Sequence, residues 1–304
     1  MTRIVFLGTP SAAVPTLVEL AKSHDVGLVI TQPDRPRGRS GRAMPPPVKE
    51  AALDLGVQVT QPETRQELDA AIRDAAPFDV GVVVAYGRIL TGEMLAVPTL
   101  GFVNVHFSLL PRWRGAAPVE RALMAGDSMT GVTIITIDEG LDTGPVLTAQ
   151  GVDIDKTITG GQLTDVLANV GARLLGTVLP AYVDGSLMPE SQVEEGSTYA
   201  TKLSASDRRI LLEESRETTV NRVRALNPSP GATLVIDDEV FKILSVEAST
   251  LEPEPGTWVI DRGVPVVGCS DGGLVLVELQ PPGKTPRAGV DWARGSRRTS
   301  GAVS

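Results

Sequence analysis

Asp79-Val80-Gly81-Val82-Val83-Val84-Ala85 carries one charge at its start and no polar side chain after it. A short run that is apolar throughout reads as a strand buried on both faces, the inner strand of a parallel sheet. Working back toward the N-terminus, Ile4-Val5-Phe6-Leu7 is a second such run, closing on Gly8-Thr9-Pro10. The spacing of Val14, Leu17, Val18 and Leu20 predicts a helix after it. Residues 25–31 read as a strand, 48–55 as a helix, 57–59 as a short strand, 68–75 as a helix and 101–105 as a further strand. This alternation predicts an α/β chain with a Rossmann-like, doubly wound, mostly parallel sheet. Ligands of such sheets sit beyond the carboxyl ends of the strands.

Toward the C-terminus, residues 118–125 read as a helix, 131–137 and 146–149 as strands, and 161–183 as a long helix. Residues 184–202 are polar and contain Gly and Ser, the composition of a linker. Ser204-Ala205-Ser206-Asp207 caps a following helix, and 219–225 is helical up to Asn227-Pro228-Ser229-Pro230-Gly231. Short strands at 233–236, 241–246, 257–259, 264–269 and 274–279 then predict a small OB-like β-barrel. The expected division is a catalytic domain over 1–187, a linker over 188–203 and a C-terminal domain over 204–304.

The chain of 304 residues has 42% apolar residues, a formal net charge of −9 and one cysteine, Cys269. One cysteine excludes an intrachain disulfide and a cysteine zinc cluster, and Cys269 reads as a buried small hydrophobe. No apolar run is judged to approach the roughly 20 residues of a membrane span. The N-terminus reads as a strand rather than a signal peptide, so no membrane and a cytoplasmic location are expected. The negative charge argues against bulk nucleic-acid affinity. Two basic islands stand out against it: Arg35, Arg37, Arg39, Arg42 and Lys49 around Asp34, and Lys284, Arg287, Arg294, Arg297 and Arg298 around Asp291. No G-x-G-x-x-G follows the first strand and no G-x-x-x-x-G-K-[ST] loop occurs, which disfavours dinucleotides and nucleoside triphosphates. Two histidines without ligand spacing make a metal site unexpected.

Chemistry concentrates in Asn104-Val105-His106-Phe107-Ser108-Leu109-Leu110-Pro111 and in Gly140-Leu141-Asp142-Thr143-Gly144. Asn104 and His106 alternate on a strand and so share one face. An amide beside a titratable ring suits a reaction in which an oxyanion forms and a proton moves. Asp142 is either a turn-forming residue or the partner that orients His106. His24 reads as a surface residue at a helix end. The loop Ser108-Leu109-Leu110-Pro111-Arg112-Trp113-Arg114 offers backbone to a flat heteroaromatic ligand, and Tyr86 ends the preceding strand at the same edge.

These residues carry a resemblance. Asn104-Val105-His106, the stretch from Ser108 to Pro118 and Gly140-Leu141-Asp142-Thr143-Gly144 resemble the signature of the folate-dependent formyltransferases. Thr31-Gln32-Pro33-Asp34-Arg35-Pro36, Gly38-Arg39, Met44-Pro45, Val84-Ala85-Tyr86-Gly87, Lys202-Leu203 and Asn227-Pro228 narrow it to the members that act on charged initiator tRNA. The resemblance spans nearly the whole chain and thins beyond residue 205. It implies formyl transfer from 10-formyltetrahydrofolate to the α-amino group of methionyl initiator tRNA, without metal or redox cofactor. It assigns Asn104, His106 and Asp142 to catalysis, Ser108, Leu109, Leu110, Pro111 and Tyr86 to folate, and Arg35, Arg37, Arg39 and Arg42 to tRNA. The barrel domain, with the second basic island, is implied to contact the tRNA, and a monomer is expected.

Some positions depart from the family pattern. Phe107 stands where a small residue is common, which suggests a tighter pocket. Ile210-Leu211-Leu212 and Ser229 stand where tryptophan-containing patterns are common, which bears on packing of the C-terminal domain. A formyltransferase acting on glycinamide ribonucleotide and a formyltetrahydrofolate hydrolase share the catalytic trio but need neither the basic loop nor the second domain. An RNA-binding protein on a dead enzyme fold is opposed by the intact trio, and a nicotinamide oxidoreductase by the missing glycine fingerprint.

Overall fold

A computed structural model of the chain describes residues 1–36, 41 and 43–303. It divides into two compact units, each discontinuous in sequence: Met1–Pro118, Met129–Asp153 and Thr164–Ala200 form the first, and Val119–Ser128, Ile154–Leu163 and Thr201–Ser304 the second. The segments Val119–Ser128 and Ile154–Leu163, expected in the first domain, thus pack with the second unit.

The first unit is built on a seven-stranded sheet in the order Val146–Asp153, Met129–Thr136, Phe102–His106, Val80–Val84, Arg3–Gly8, Asp25–Ile30, Val59–Thr60. The apolar run at 79–85 is the central strand, parallel to both neighbours, with Val80, Val82 and Val84 fully buried. A strand that meets sheet on both edges and side chains on both faces has no room for polar residues. Met129–Thr136 runs antiparallel to Phe102–His106, and Val146–Asp153 antiparallel to Met129–Thr136, so the sheet is mostly but not wholly parallel.

One face is covered by the helix Arg65–Asp74, whose Leu68 and Ile72 stand one turn apart and join Val5, Leu7, Leu28, Ile30 and Phe78 in the core. Thr64 and Glu67 form a reciprocal capping box at its start. Another helix, Gly160–Val183, is by length and composition apolar enough to cross a membrane, contrary to the expectation that no run approaches that length. Its Leu167, Leu175 and Leu179 are fully buried and its Gly171 lies against Val105 and Val132, which is the setting of a core helix.

Strand order reverses between Arg3–Gly8 and Val80–Val84. Register pairs Gly8 with Val84 and Val83 with Asn104, so the carboxyl ends of three neighbouring strands are level. A ligand site belongs at that edge.

The second unit is an antiparallel sheet in the order Ala232–Ile236, Glu239–Ala248, Gly272–Gln280, Val264–Cys269, Thr257–Asp261, Ser300–Ala302. It curls until a bridge between Ile236 and Val303 joins its two edges, consistent with the OB-like barrel expected. Ile210 and Leu212 are both buried in its core, so the departure at 210–212 is absorbed by packing. Cys269 is buried there as expected.

Ser204 caps the short helix Ala205–Arg208, and its N3 residue Asp207 also receives Arg121 through Nη1 at 2.6 Å and Nη2 at 3.1 Å. The guanidinium, with the Ser204 bonds added, holds the Asp207 carboxyl well below the usual carboxylate range. Because the folded state depresses this pKa, the stabilisation is complete above the ordinary carboxylate value and is lost as pH falls below it. Asp207→Asn is expected to cost about 2 kcal/mol near neutral pH. The gap from wild type should hold steady down to about pH 5 and narrow below about pH 4. Denaturant titrations across that range check this, and a gap that ignores pH would remove the ionic explanation.

Candidate active site

Asn104 and His106 end the strand Phe102–His106 and point to the same face, as their alternation requires. Val105 lies on the opposite face against Gly171 of the long helix, and Phe107 reaches the same glycine. Phe107, one residue past the strand end, is buried with its ring at that glycine, so it packs in the core.

Asp142 reaches this face from a loop. Its Oδ1 accepts from Asn104 Nδ2 at 3.2 Å, its Oδ2 accepts from the Gly115 N–H at 2.8 Å, and Oδ2 lies 3.5 Å from His106 Nδ1. The other ring nitrogen, Nε2, faces the Trp113 carbonyl at 2.9 Å. His106 is 5% exposed and the Asp142 side chain 17%, so the ring is sheltered while the carboxylate is within reach of solvent. Both ring nitrogens thus face oxygen atoms, one of a carboxylate and one of a main-chain carbonyl.

The backbone around the trio is unusual in ways that serve it. Asp142 and Trp113 adopt left-handed φ angles of 54° and 64°. Gly115 has φ 121°, and a Cβ there would come within 2.7 Å of the Ala200 carbonyl oxygen. A side chain at 115 would push away the N–H that anchors Asp142. Gly144 is pressed against the Thr136 carbonyl in the same way, which explains the glycine that closes Gly140-Leu141-Asp142-Thr143-Gly144.

The stretch expected to meet folate is placed beside His106. Ser108 is fully buried; its Oγ donates to the Arg112 carbonyl at 2.6 Å, and its carbonyl accepts from Thr133 Oγ1 at 2.7 Å. The Leu110 N–H donates to the same Thr133 oxygen at 3.1 Å. Much of this backbone is therefore spent in building the loop, and the half-buried Leu109, Leu110 and Pro111 present its surface.

Tyr86 is 2% exposed, and burial pushes its phenol up to about 12. Its carbonyl accepts from Thr9 Oγ1 and Gln32 Nε2, both at 3.3 Å. These residues, with Gly87, Pro33, Arg35 and Met44, line a cavity of about 410 Å³ where the strand order reverses. Of the four arginines expected to meet tRNA, Arg35 is exposed on the short hairpin Arg35–Pro36 with Ala43–Met44, while Arg37, Arg39 and Arg42 lie outside the described residues. Lys49 is tied to Asp34 at 2.9 Å and does not add a free cation to that island. In the second island, Arg294 pairs with Asp291 and Arg298 with Asp237. His24 is half-buried with its Nδ1 unpartnered, and burial lowers its pKa; it is not the surface residue expected. Among the described residues no cluster of three His, Cys, Asp or Glu side chains could hold a metal ion.

Comparisons with known proteins bear on the family of the chain. The family model described as formyl transferase matches residues 2–179, and that of the formyl transferase C-terminal domain matches 202–297. A methionyl-tRNA formyltransferase of Halorhodospira halophila is 45% identical over 304 residues, covering 98% of each chain. Its counterpart from Myxococcus xanthus is 41% identical, covering 99% of this chain and 97% of its own. Among solved structures, WlaRD, a sugar 3N-formyl transferase crystallised with dTDP and 5-N-formyl-THF, superposes with a TM-score of 0.68 at 17% identity over 94% of this chain and 99% of its own. HypX from Aquifex aeolicus in complex with tetrahydrofolic acid superposes with a TM-score of 0.66 at 15% identity over 96% of this chain, which spans only 46% of it. With both family models matched in order and near-complete relatives above 40% identity, the chain belongs to the formyl transferase family.

Proposed function

We infer that the chain moves the formyl group of 10-formyltetrahydrofolate onto the α-amino group of methionine esterified to initiator tRNA, giving the formylmethionyl-tRNA that starts translation. The observation that carries the reaction class is the closure of Asn104 and His106 on Asp142 at the carboxyl edge of the sheet. The acceptor is supported by the name shared by near-full-length relatives at 41–45% identity, and a folate donor by the titles of WlaRD and HypX.

In this reading the amine attacks the formyl carbon, a C–N bond forms, and the carbonyl electron pair moves onto oxygen. Asn104 Nδ2–H and His106 Nε2–H donate to that oxygen. In the structure His106 Nε2 faces the Trp113 carbonyl, so the donor is shared with, or released by, that carbonyl as charge develops. Such a donor is worth roughly 3–4 kcal/mol in the transition state. Collapse breaks the bond to folate N10, which takes up a proton while the attacking nitrogen loses one. Leu109, Leu110, Pro111 and Tyr86 flank the donor, and Ser108 shapes that loop. Arg35, Arg37, Arg39 and Arg42 meet the acceptor end of the tRNA, which makes binding strongly salt-dependent. The same reading places the chain in the cytoplasm, working as a monomer without a metal.

The test is formyl transfer by the purified chain to methionyl initiator tRNA, with uncharged and elongator tRNA as controls. Transfer confined to the charged initiator supports the reading. Formate release without tRNA would make the chain a hydrolase, and formylation of a nucleotide amine instead would move it to another acceptor.

A further inference from the structure

The segment expected as a linker is bound to the site just described. Gln192 donates from Nε2 to the Asp142 carbonyl at 2.9 Å and to the Gly144 carbonyl at 2.8 Å. Its Oε1 accepts from Arg114 Nε at 3.1 Å and Nη2 at 2.9 Å. Every polar atom of that amide is used. Arg114 is 1% exposed, and Glu194 accepts from its Nη1 and Nη2 at 3.2 Å. Further along, Thr198 Oγ1 accepts from the Trp113 N–H at 2.9 Å, and Tyr199–Ala200 pairs with Arg114–Gly115.

These contacts fall on two left-handed residues. Asp142, which faces His106 Nδ1, is held through its carbonyl by Gln192. Trp113, whose carbonyl faces His106 Nε2, is held through its N–H by Thr198. A non-glycine residue in that region persists only where its surroundings over-determine it. We propose that the segment from Glu190 to Ala200 is a strap that sets the geometry of the catalytic trio, and that Gln192 is the positioning residue for Asp142. Gln192 touches no reacting group; it acts by fixing where the Asp142 carboxylate can stand. The inference rests on formyl transfer as the reaction.

Gln192→Glu separates this role from a merely structural one. The carboxylate keeps acceptors for Arg114 and gains an ion pair, so a residue needed only to satisfy the buried guanidinium tolerates the change. It also sets oxygen against the Asp142 and Gly144 carbonyls, which pushes the loop away. The expected result is a kcat lower by about 10²-fold, because a small misplacement at a reacting centre is costly, with KM for both substrates and the melting temperature little changed. In an Asp142→Asn background the same substitution should cost much less, since the carboxylate it positions is gone. A wild-type kcat for Gln192→Glu, or a cost that multiplies undiminished in the Asp142→Asn background, overturns the proposal. Gln192→Ala serves as the second variant if the first does not fold. Wild type assayed alongside keeps two failures apart. Wild type that leaves methionyl-tRNA unformylated counts against the acceptor assigned above, while active wild type with equally active Gln192→Glu counts against the strap.

Discussion

Asp142→Asn should leave a folded chain whose formyl transfer is slower by about 10³-fold. The carboxylate serves three neighbours at once: it accepts from Asn104 Nδ2 and from the Gly115 N–H, and it faces His106 Nδ1. An amide has one acceptor oxygen and one –NH2. Turned either way, it sets N–H against N–H on one side, so Asn104 on one hand, or Gly115 and His106 on the other, loses its anchor. The negative charge that faces the imidazole Nδ1 is lost as well. Because these interactions grow with charge on the reacting oxygen, kcat and kcat/KM should fall together. The chain should stay folded at a cost of about 1–3 kcal/mol for the lost anchor, because asparagine tolerates the left-handed φ of 54° at this position. Steady-state kinetics with a melting curve test both halves. His106→Ala should lose comparably, and the double variant little more than either alone, since the residues act as a unit. Near-normal turnover in Asp142→Asn would take Asp142 out of the chemistry.

The fold was legible where burial forces a one-to-one relation between pattern and structure. A strand covered on both faces as well as paired on both edges is apolar throughout, so Val80–Val84 announces itself, and the nearly wholly buried Val264–Cys269 does the same in the second unit. Of the trio, Asn104 and His106 were legible as sharing one face because they stand two apart on a strand, whereas position alone left Asp142 open between a turn residue and a partner of His106, and the family resemblance made the choice; its carboxylate lies 3.5 Å from His106 Nδ1. The strap was not. Its working parts are a glutamine amide and a threonine hydroxyl on irregular backbone, and a polar segment with Gly and Ser has the composition of a linker whether or not something lies beneath it. Ser108 shows the converse limit. It is a polar residue in a loop by pattern, yet it is fully buried with its hydroxyl turned inward to Arg112. Pattern locates a loop and does not say which of its polar groups are spent in making it. Met129–Thr136 and Val146–Asp153 were expected as strands, but their antiparallel direction was not legible for a related reason: direction is set by partners, and a strand pattern looks the same read either way.

Trp258→Ala should cost the second unit about 3–5 kcal/mol, the range for emptying a tryptophan site in a packed core. Trp258 is 1% exposed on the strand Thr257–Asp261, paired with Val267 on one side and Gly301 on the other. Its ring lies 5.2 Å from that of Trp292, which in turn meets Phe241 edge-on at 5.5 Å. Truncation therefore removes the indole and leaves Trp292 with one aromatic neighbour. The indole N–H also donates to Asp237 Oδ1 at 3.4 Å, a carboxylate that keeps Arg298 at 3.3 Å when the indole is gone. Trp258→Phe, which retains one ring but gives up that long bond and part of the buried indole volume, should cost less than the alanine variant, about 1–3 kcal/mol. Gly301 makes the position selective, since a Cβ there would stand 2.6 Å from the indole nitrogen. Any larger residue at 301 should mimic part of the Trp258→Ala loss. Two compact units make a single unfolding transition unsafe to assume. Amide exchange in Val264–Cys269 and Gly272–Gln280 is the cleaner measurement, and Trp258→Ala should speed it by at least about 10²-fold. Protection equal to wild type would mean that the sheet holds without its indole, and that Leu234, Ile243 and Leu276 carry this core on their own.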